Sequence, residues 1–322
     1  MIKPERDAIM LAGLEKGIKK PMETEMKKPA ETEMNKSAVS EQKLIIVRGG
    51  GDLATGVIYS LQKAGFRVLS LEVPAPSAIR RAAAFSEAVY DGKAQVEDMV
   101  CTLCKNFEEA CAVMDRGEVA MLVDPLCDIL GQVRPFALVD AILAKKNLGT
   151  SLAMSDIVVA LGPGFEAGKD AHIVIETMRG HNLGRMYEHG TAIPNTGVPG
   201  LVAGHSDDRV IHSPADGTIE NLSDIGDIVE EGQTLALIHG KNEEGEPADV
   251  PVKATFTGLL RGLIRSGYQV KKGLKIADID ARKEQQKNCF TISDKARCLG
   301  GSTLCAVMHL ASVLDNQRSK QA

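Results

Sequence analysis

The chain has 322 residues, a length that suits about two domains, and its 44% apolar content can fill cores although aromatics reach only 3% and tryptophan is absent. A net charge of −5 at pH 7 and a pI near 5.9 exclude the broad basic surface that nucleic acids or anionic membranes require. Seven cysteines, an odd number, suit a reducing cytosol better than a disulfide framework. No apolar run near the ~18 residues of a membrane span is read in the sequence, so a cytoplasmic location without membrane contact is expected.

Residues 1–42 hold a tandem octapeptide, KKPMETEM at Lys19–Met26 and KKPAETEM at Lys27–Met34. Mixed charge and little apolar periodicity predict a disordered tail, with a short helix over Asp7–Lys20 as the alternative. Residues 43–208 open with a strand at Leu44–Val47, a glycine cluster, a helical stretch with Val57, Leu61 and Ala64 on one face, and a strand at Val68–Val73. This β-turn-α-β start predicts a Rossmann-like, doubly wound α/β sheet. Helical and strand-like segments then alternate through Ile79–Phe85, Val96–Met114, Val119–Pro125, Phe136–Lys145, Asp156–Gly164 and His172–Thr177.

Between residues 209 and 282 an internal repeat appears. Gly217, Gly226, Gly232 and Ile238 recur 41 residues later as Gly258, Gly267, Gly273 and Ile279. Two strand–turn–strand–turn–strand halves predict an inserted all-β barrel-sandwich hybrid like that of biotinyl and lipoyl carriers. The hairpin between the halves (His239–Pro251, with Lys241) is longer and more acidic than a carrier hairpin, so neither biotin nor lipoate is expected. In residues 283–322, Ser293 or Asp294 caps a helix whose apolar spacing through Leu304, Val307, Met308 and Leu310 predicts packing onto the α/β domain.

Three segments carry candidate binding residues. Gly49, Gly50, Gly51 and Asp52 form a strand-to-helix turn whose amides suit an anion, with Glu72 where a dinucleotide fold often holds a ribose-binding acid. The spacing is G-x-G-x-x-x-x-G and Asp52 is negative, so an anionic or nucleotide-like ligand, NAD and a purely structural turn all stay open. Arg80 and Arg81 follow a proline-bearing loop that leaves a strand end, where they either clamp phosphate or carboxylate or stand as a solvated pair at a helix start. The block Leu161–Gly200 packs eight glycines, three histidines, two arginines and four carboxylates. Within it Asp170, His172, Glu176, Arg179, His181, Arg185 and Asn195, with Thr196, predict an anion or metallated-pterin site, with a self-satisfied polar loop network as the alternative. His172 and Glu176 share one strand face, and one His with carboxylates is too few soft donors for zinc. Cys101-x-x-Cys104, with Cys111, reads as small helix side chains rather than a redox pair. No nucleophile–base set identifies a reaction.

GGGDLATG, Ala78–Gly92, ALGPGFEAG, HIVIETMRGHNLGR, AIPNTGVPG and ISDKARCLGG together resemble the accessory proteins of selenium-dependent molybdenum hydroxylases. The resemblance runs from Leu44 to the C-terminal helix. It implies a cytosolic role in maturing the molybdenum cofactor, a ligand of molybdopterin or nucleotide type, and a selenium-dependent molybdenum hydroxylase as partner. It implies no catalytic residues. The alternatives are an NAD(P)- or nucleotide-dependent enzyme acting on the cofactor, and a ligand-free docking scaffold.

Overall fold

The computed structural model describes residues 43–195, 197, 204–241 and 245–321. The octapeptide tail, Thr196 and residues 242–244 of the hairpin lie outside them. Strand β1 (Leu44–Arg48) leads through the glycine turn into helix α1 (Asp52–Lys63), and β2 (Arg67–Glu72) returns beside β1. The one-turn helix α2 (Ala88–Asp91) precedes the hairpin β3 (Lys93–Val96) and β4 (Met99–Leu103). Then come α3 (Phe107–Asp115), β5 (Val119–Val123), β6 (Ala137–Asp140) and β7 (Val158–Leu161). The short strands β8 (Glu166–Ala167), β9 (Ile173–Ile175), β10 (Met186–Tyr187) and β11 (Gly190–Thr191) end this module.

Nine of these strands form one sheet in the order β10-β9-β7-β6-β1-β2-β5-β4-β3. The seven inner strands are parallel, while β10 and β3 run antiparallel on the two edges. Strands buried on both faces need unbroken apolar runs, and β1 supplies one. Ile45 and Val47 meet α1 on one side, and Ile46 joins Ala110, Val113 and Met114 of α3 on the other.

The second module comprises β12 (Val210–His212), β13 (Gly217–Asn221), β14 (Ile228–Val229), β15 (Thr234–Lys241), β16 (Pro247–Lys253), β17 (Gly258–Leu263), β18 (Gln269–Val270) and β19 (Lys275–Asp280). They make two antiparallel sheets, β12-β19-β17-β14 and β16-β15-β13-β18, closed over Ile219, Leu235, Ile238, Leu259 and Ile279. The 41-residue repeat relates β13 to β17, β14 to β18 and β15 to β19, and each sheet borrows one short strand from the other half.

This topology corrects the expected Rossmann-like fold with an inserted barrel-sandwich hybrid. The large sheet is mixed, and the connections β5–β6, β6–β7 and β7–β9 contain no α-helix, so the strand–helix alternation of a doubly wound fold fails on that side. The second module is two separate four-stranded sheets with free edges, not one closed barrel. The helix expected across Val96–Met114 is also corrected. Cys101 lies in β4, Cys104 just after it and Cys111 on α3, and burial pushes the first two thiols up.

The chain returns to the first module in helix α4 (Asp294–Gln321), capped where Ser293 Oγ accepts from Ala296 N at 3.2 Å. Ala296, Leu299, Thr303, Ala306, Val307 and Ala311 form its buried face. Close approach to α1 depends on two glycines. A Cβ at Gly56 would lie 2.5 Å from the carbonyl oxygen of Ala296, and one at Gly300 would lie 2.3 Å from that of Gly56. Among the described residues, Lys283–Lys320 meets the length and apolarity of a membrane-crossing helix by composition alone, with mean hydropathy 1.4 in its best window, as a helix packed on a core also does.

Candidate functional site

The carboxyl ends of β6, β7 and β9, the starts of α1 and α4, and β12 with β19 of the second module enclose a crevice of about 1000 Å³. Ligands of open α/β sheets collect beyond the carboxyl ends of the strands. Five basic residues line this crevice, Lys145, Arg179, Arg209, Lys275 and Lys295, against one acid, Asp207. His212, Asn195 and Thr177 add polar groups, and Leu53, Leu143, Met178 and Ile193 add apolar wall.

Glycines seat the loop that carries Lys145. A Cβ at Gly164 would fall 2.5 Å from Lys146 Cα, and one at Gly49 would fall 3.0 Å from Ala141 O. Both glycines have positive φ (107° and 100°), so a side chain there is strained on two counts. Leu143 and Lys145 themselves hold φ of 62°, a left-handed backbone that costs non-glycine residues energy and often marks ligand sites. The loop's base is a buried ion pair. Arg48 Nη1 stands 3.5 Å from Asp140 Oδ2, both also hydrogen-bond Thr150, and Arg48 Nη2 donates to Pro125 O and Leu148 O. Burial pushes the Asp140 carboxyl up, and Thr150, Ile142 N and Arg48 act against it.

The charges of the crevice are unevenly satisfied. Arg179 grips Asp294 at 3.0 and 3.2 Å, and Arg209 sits 2.9 Å from Asp278. Lys145, Lys275 and Lys295 have no hydrogen-bond or ion-pair partner among the described residues. Desolvation, then the charges of Arg209 and Lys145, holds Lys275 below the usual lysine range against the pull of Asp278 and Asp52. Lys275 is exposed as a residue, yet it lines the crevice, and desolvation there is the largest influence on its amine. Lys295 is lowered chiefly by burial, with Arg179 adding to it. Behind them Arg261 is lowered by burial and by Arg80 and Arg209, and the Nε atoms of Arg80 and Arg209 are buried without an acceptor.

The residues singled out in the sequence are dispersed. Arg179 and Asn195 line the crevice. Asp52, in the first turn of α1, pairs with Arg80 at 3.4 Å, and Arg80 also donates to Asn288 O and Thr291 O. Arg81 donates to Leu263 O and so joins the two modules, whereas Arg80 ties the start of α1 to the segment that precedes α4. The Gly49–Gly51 turn is filled from within, because Gly50 N donates to Glu72 Oε2 at 2.7 Å. Glu72 is pushed up by burial and held back by the Val73 and Gly50 amides.

Glu176 is buried, accepting from Met178 N at 2.7 Å and Ile193 N at 2.8 Å, and so shapes the crevice wall. His172 lies at the other end of β9, where its Nδ1 accepts from Val158 N and burial lowers its pKa. Asp170 closes the β8 turn through Glu166 N. His181 and Arg185 are exposed outside the crevice lining. The sequence reading missed Lys145, Arg209, Lys275 and Lys295. Only Lys295 carried a local signal, a lysine in the first turn of a helix, against the dipole preference. Among the described residues no group of three or more His, Cys, Asp or Glu is arranged to hold a metal ion.

No protein-family model matches the chain. It is 46% identical over 271 residues to the uncharacterized protein YqeB of Escherichia coli strain K12, covering 84% of this chain and 48% of YqeB. The chain thus spans about half the length of that curated relative. Among solved structures, the ectoine utilization protein EutE (DoeB) of Ruegeria pomeroyi matches with 14% identity and a TM-score of 0.21, over 73% of this chain and 56% of EutE. A succinylglutamate desuccinylase/aspartoacylase of Rhodobacter sphaeroides gives 13% and 0.25, over 74% and 84%. An aspartoacylase family protein of Mesorhizobium loti gives 14% and 0.26 over the same shares.

Scores this low transfer neither a fold nor an activity. None of these matches links the chain to molybdenum or selenium. The resemblance to molybdenum hydroxylase accessory proteins, the cofactor-maturation role drawn from it and its alternatives are therefore withdrawn.

Proposed function

We propose that the crevice binds a small, multiply charged anion bearing phosphate or carboxylate groups, nucleotides included. One observation carries this reading: in a chain of net charge −5, five Lys or Arg face one Asp across a single crevice, and three of the lysines are unpaired. Burial lowers the amines of Lys275 and Lys295, and cations taken from water without partners cost energy. A bound anion offsets that cost through charge-assisted hydrogen bonds. The two modules supply opposite walls, Lys145, Arg179 and Lys295 on one side and Arg209, His212 and Lys275 on the other. All seven cysteines are free, which supports a reducing, cytoplasmic setting.

Thermal unfolding with ATP, CTP, NAD, pyrophosphate and citrate tests the reading. A ligand at 100 times its Kd adds about 2.7 kcal/mol of stability. Lys275→Ala weakens the best ligand by about 1.5–3 kcal/mol. Equal midpoints with and without every anion, in both proteins, would reject it.

A further inference from the structure

Lys295 is the second residue of α4, and three influences disfavour a charge on its amine. The helix N-terminus presents the positive end of its dipole. Arg179, fixed by Asp294 at 3.0 Å, brings a guanidinium charge, and the crevice wall removes water. The carboxylates of Asp52, Glu176 and Asp294 act the other way, and the balance leaves the amine below the usual lysine range. The amine has no partner among the described residues. Its place is fixed by the glycine contacts of α1 and α4, which set the first turn of α4 against the crevice mouth. An unpaired amine beside another cation in a desolvated site is the usual setting of a nucleophilic lysine.

We propose that Lys295 forms an imine with an aldehyde or ketone that carries a carboxylate or phosphate group, with Lys145, Lys275 and Arg209 holding that anionic group. This rests on the anion-binding reading of the crevice. The neutral Nζ adds its lone pair to the carbonyl carbon, and the C–O π pair moves to oxygen, which takes up a proton to give a carbinolamine. Nitrogen releases a proton, the C–N double bond forms, and the hydroxyl leaves as water after protonation. One water is released, and no oxidant or metal is consumed. Hydrolysis reverses the step.

The full chain is incubated with glyoxylate or with pyridoxal 5′-phosphate, imines are reduced with cyanoborohydride, and the secondary amine is located by peptide mapping. Label concentrated at Lys295, competed by inorganic phosphate and lost in Lys295→Arg is the expected result. Label spread evenly over surface lysines, or concentrated at another crevice lysine, overturns the proposal. The mapping on the unaltered chain decides this even if the variant folds poorly. Absence of label while pyrophosphate or ATP still raises the unfolding midpoint defeats the imine step alone. Absence of both label and anion stabilisation defeats the binding reading with it.

Discussion

Two glycine-rich loops at the same end of the sheet have opposite fates. The turn Gly49–Gly51 has the sequence of an anion cradle, yet Glu72 of the neighbouring strand occupies the Gly50 amide at 2.7 Å. The loop Gly162–Gly164 offers no such motif. Its glycines instead let the Leu143–Lys146 segment settle within 2.5 Å of an absent Cβ, and that segment holds an unpaired lysine over the crevice. A glycine-rich loop therefore marks close backbone approach, and whether a ligand or the protein itself does the approaching depends on which polar groups remain unpaired.

The most severe way to break this comparison is Arg48→Met, because Arg48 and Asp140 form the base of the Lys145 loop. It leaves Asp140 buried and uncompensated, at a cost of about 3–5 kcal/mol in denaturant unfolding. The sign with pH is fixed. The folded-state pKa of Asp140 is already raised, so the folded protein binds more protons above the usual aspartate value and loses stability as pH rises through that window. Removing Arg48 widens the window, and the deficit shrinks on acidification. A deficit that grows in acid contradicts the assignment.

Gly164→Ala tests the second loop alone. Positive φ and contact with Lys146 Cα together cost about 2–4 kcal/mol, and displacement of Lys145 should lower anion affinity as well. Unchanged affinity in a folded variant would separate the loop from the crevice.

Glu72→Ala sharpens the first loop, opening the Gly50 amide at a cost of about 1–3 kcal/mol. Added formate should restore part of that stability in the variant and none in the parent chain. Formate without differential effect would mean that water already satisfies the amide.

Arg179→Ala has the smallest effect on folding, about 0.2–1 kcal/mol for an exposed pair. Arg179 lowers Asp294 from 3.8 to about 2, so this contribution is present above pH 3.8 and fades as pH falls towards 2. A difference between variant and parent that persists at pH 2 would assign it to something other than this pair.

Much of the local structure was legible in the sequence. The apolar run of β1, its glycine turn and α1 follow from periodicity, and the Ser293 cap follows from its chemistry. Alternation through β9 predicts that His172 and Glu176, which flank it, share one face. It does not say that four residues of strand, about 13 Å, separate them, so one lies at the crevice end and the other at the opposite end. MVCTL forms β4, as its Val and Thr favour, although the helical spacing of the cysteines predicts a helix there. Lys145, Arg209, Lys275 and Lys295 come from four distant segments, and only packing of the two modules brings them together.

The two copies of the repeat meet different neighbours. In the second copy Leu263 N donates to Ile79 O, and a Cβ at Gly262 would lie 3.0 Å from that same oxygen. The matching positions in the first copy are Asn221 and Leu222, and Leu222 is 55% exposed. Likewise Lys275 stands in the crevice where the first copy has Thr234. The position that approaches the first module lacks a Cβ, whereas its counterpart Asn221 hydrogen-bonds within its own module, to Ile264 O. The half of the repeat that faces the first module is thus the one whose contact position carries no side chain.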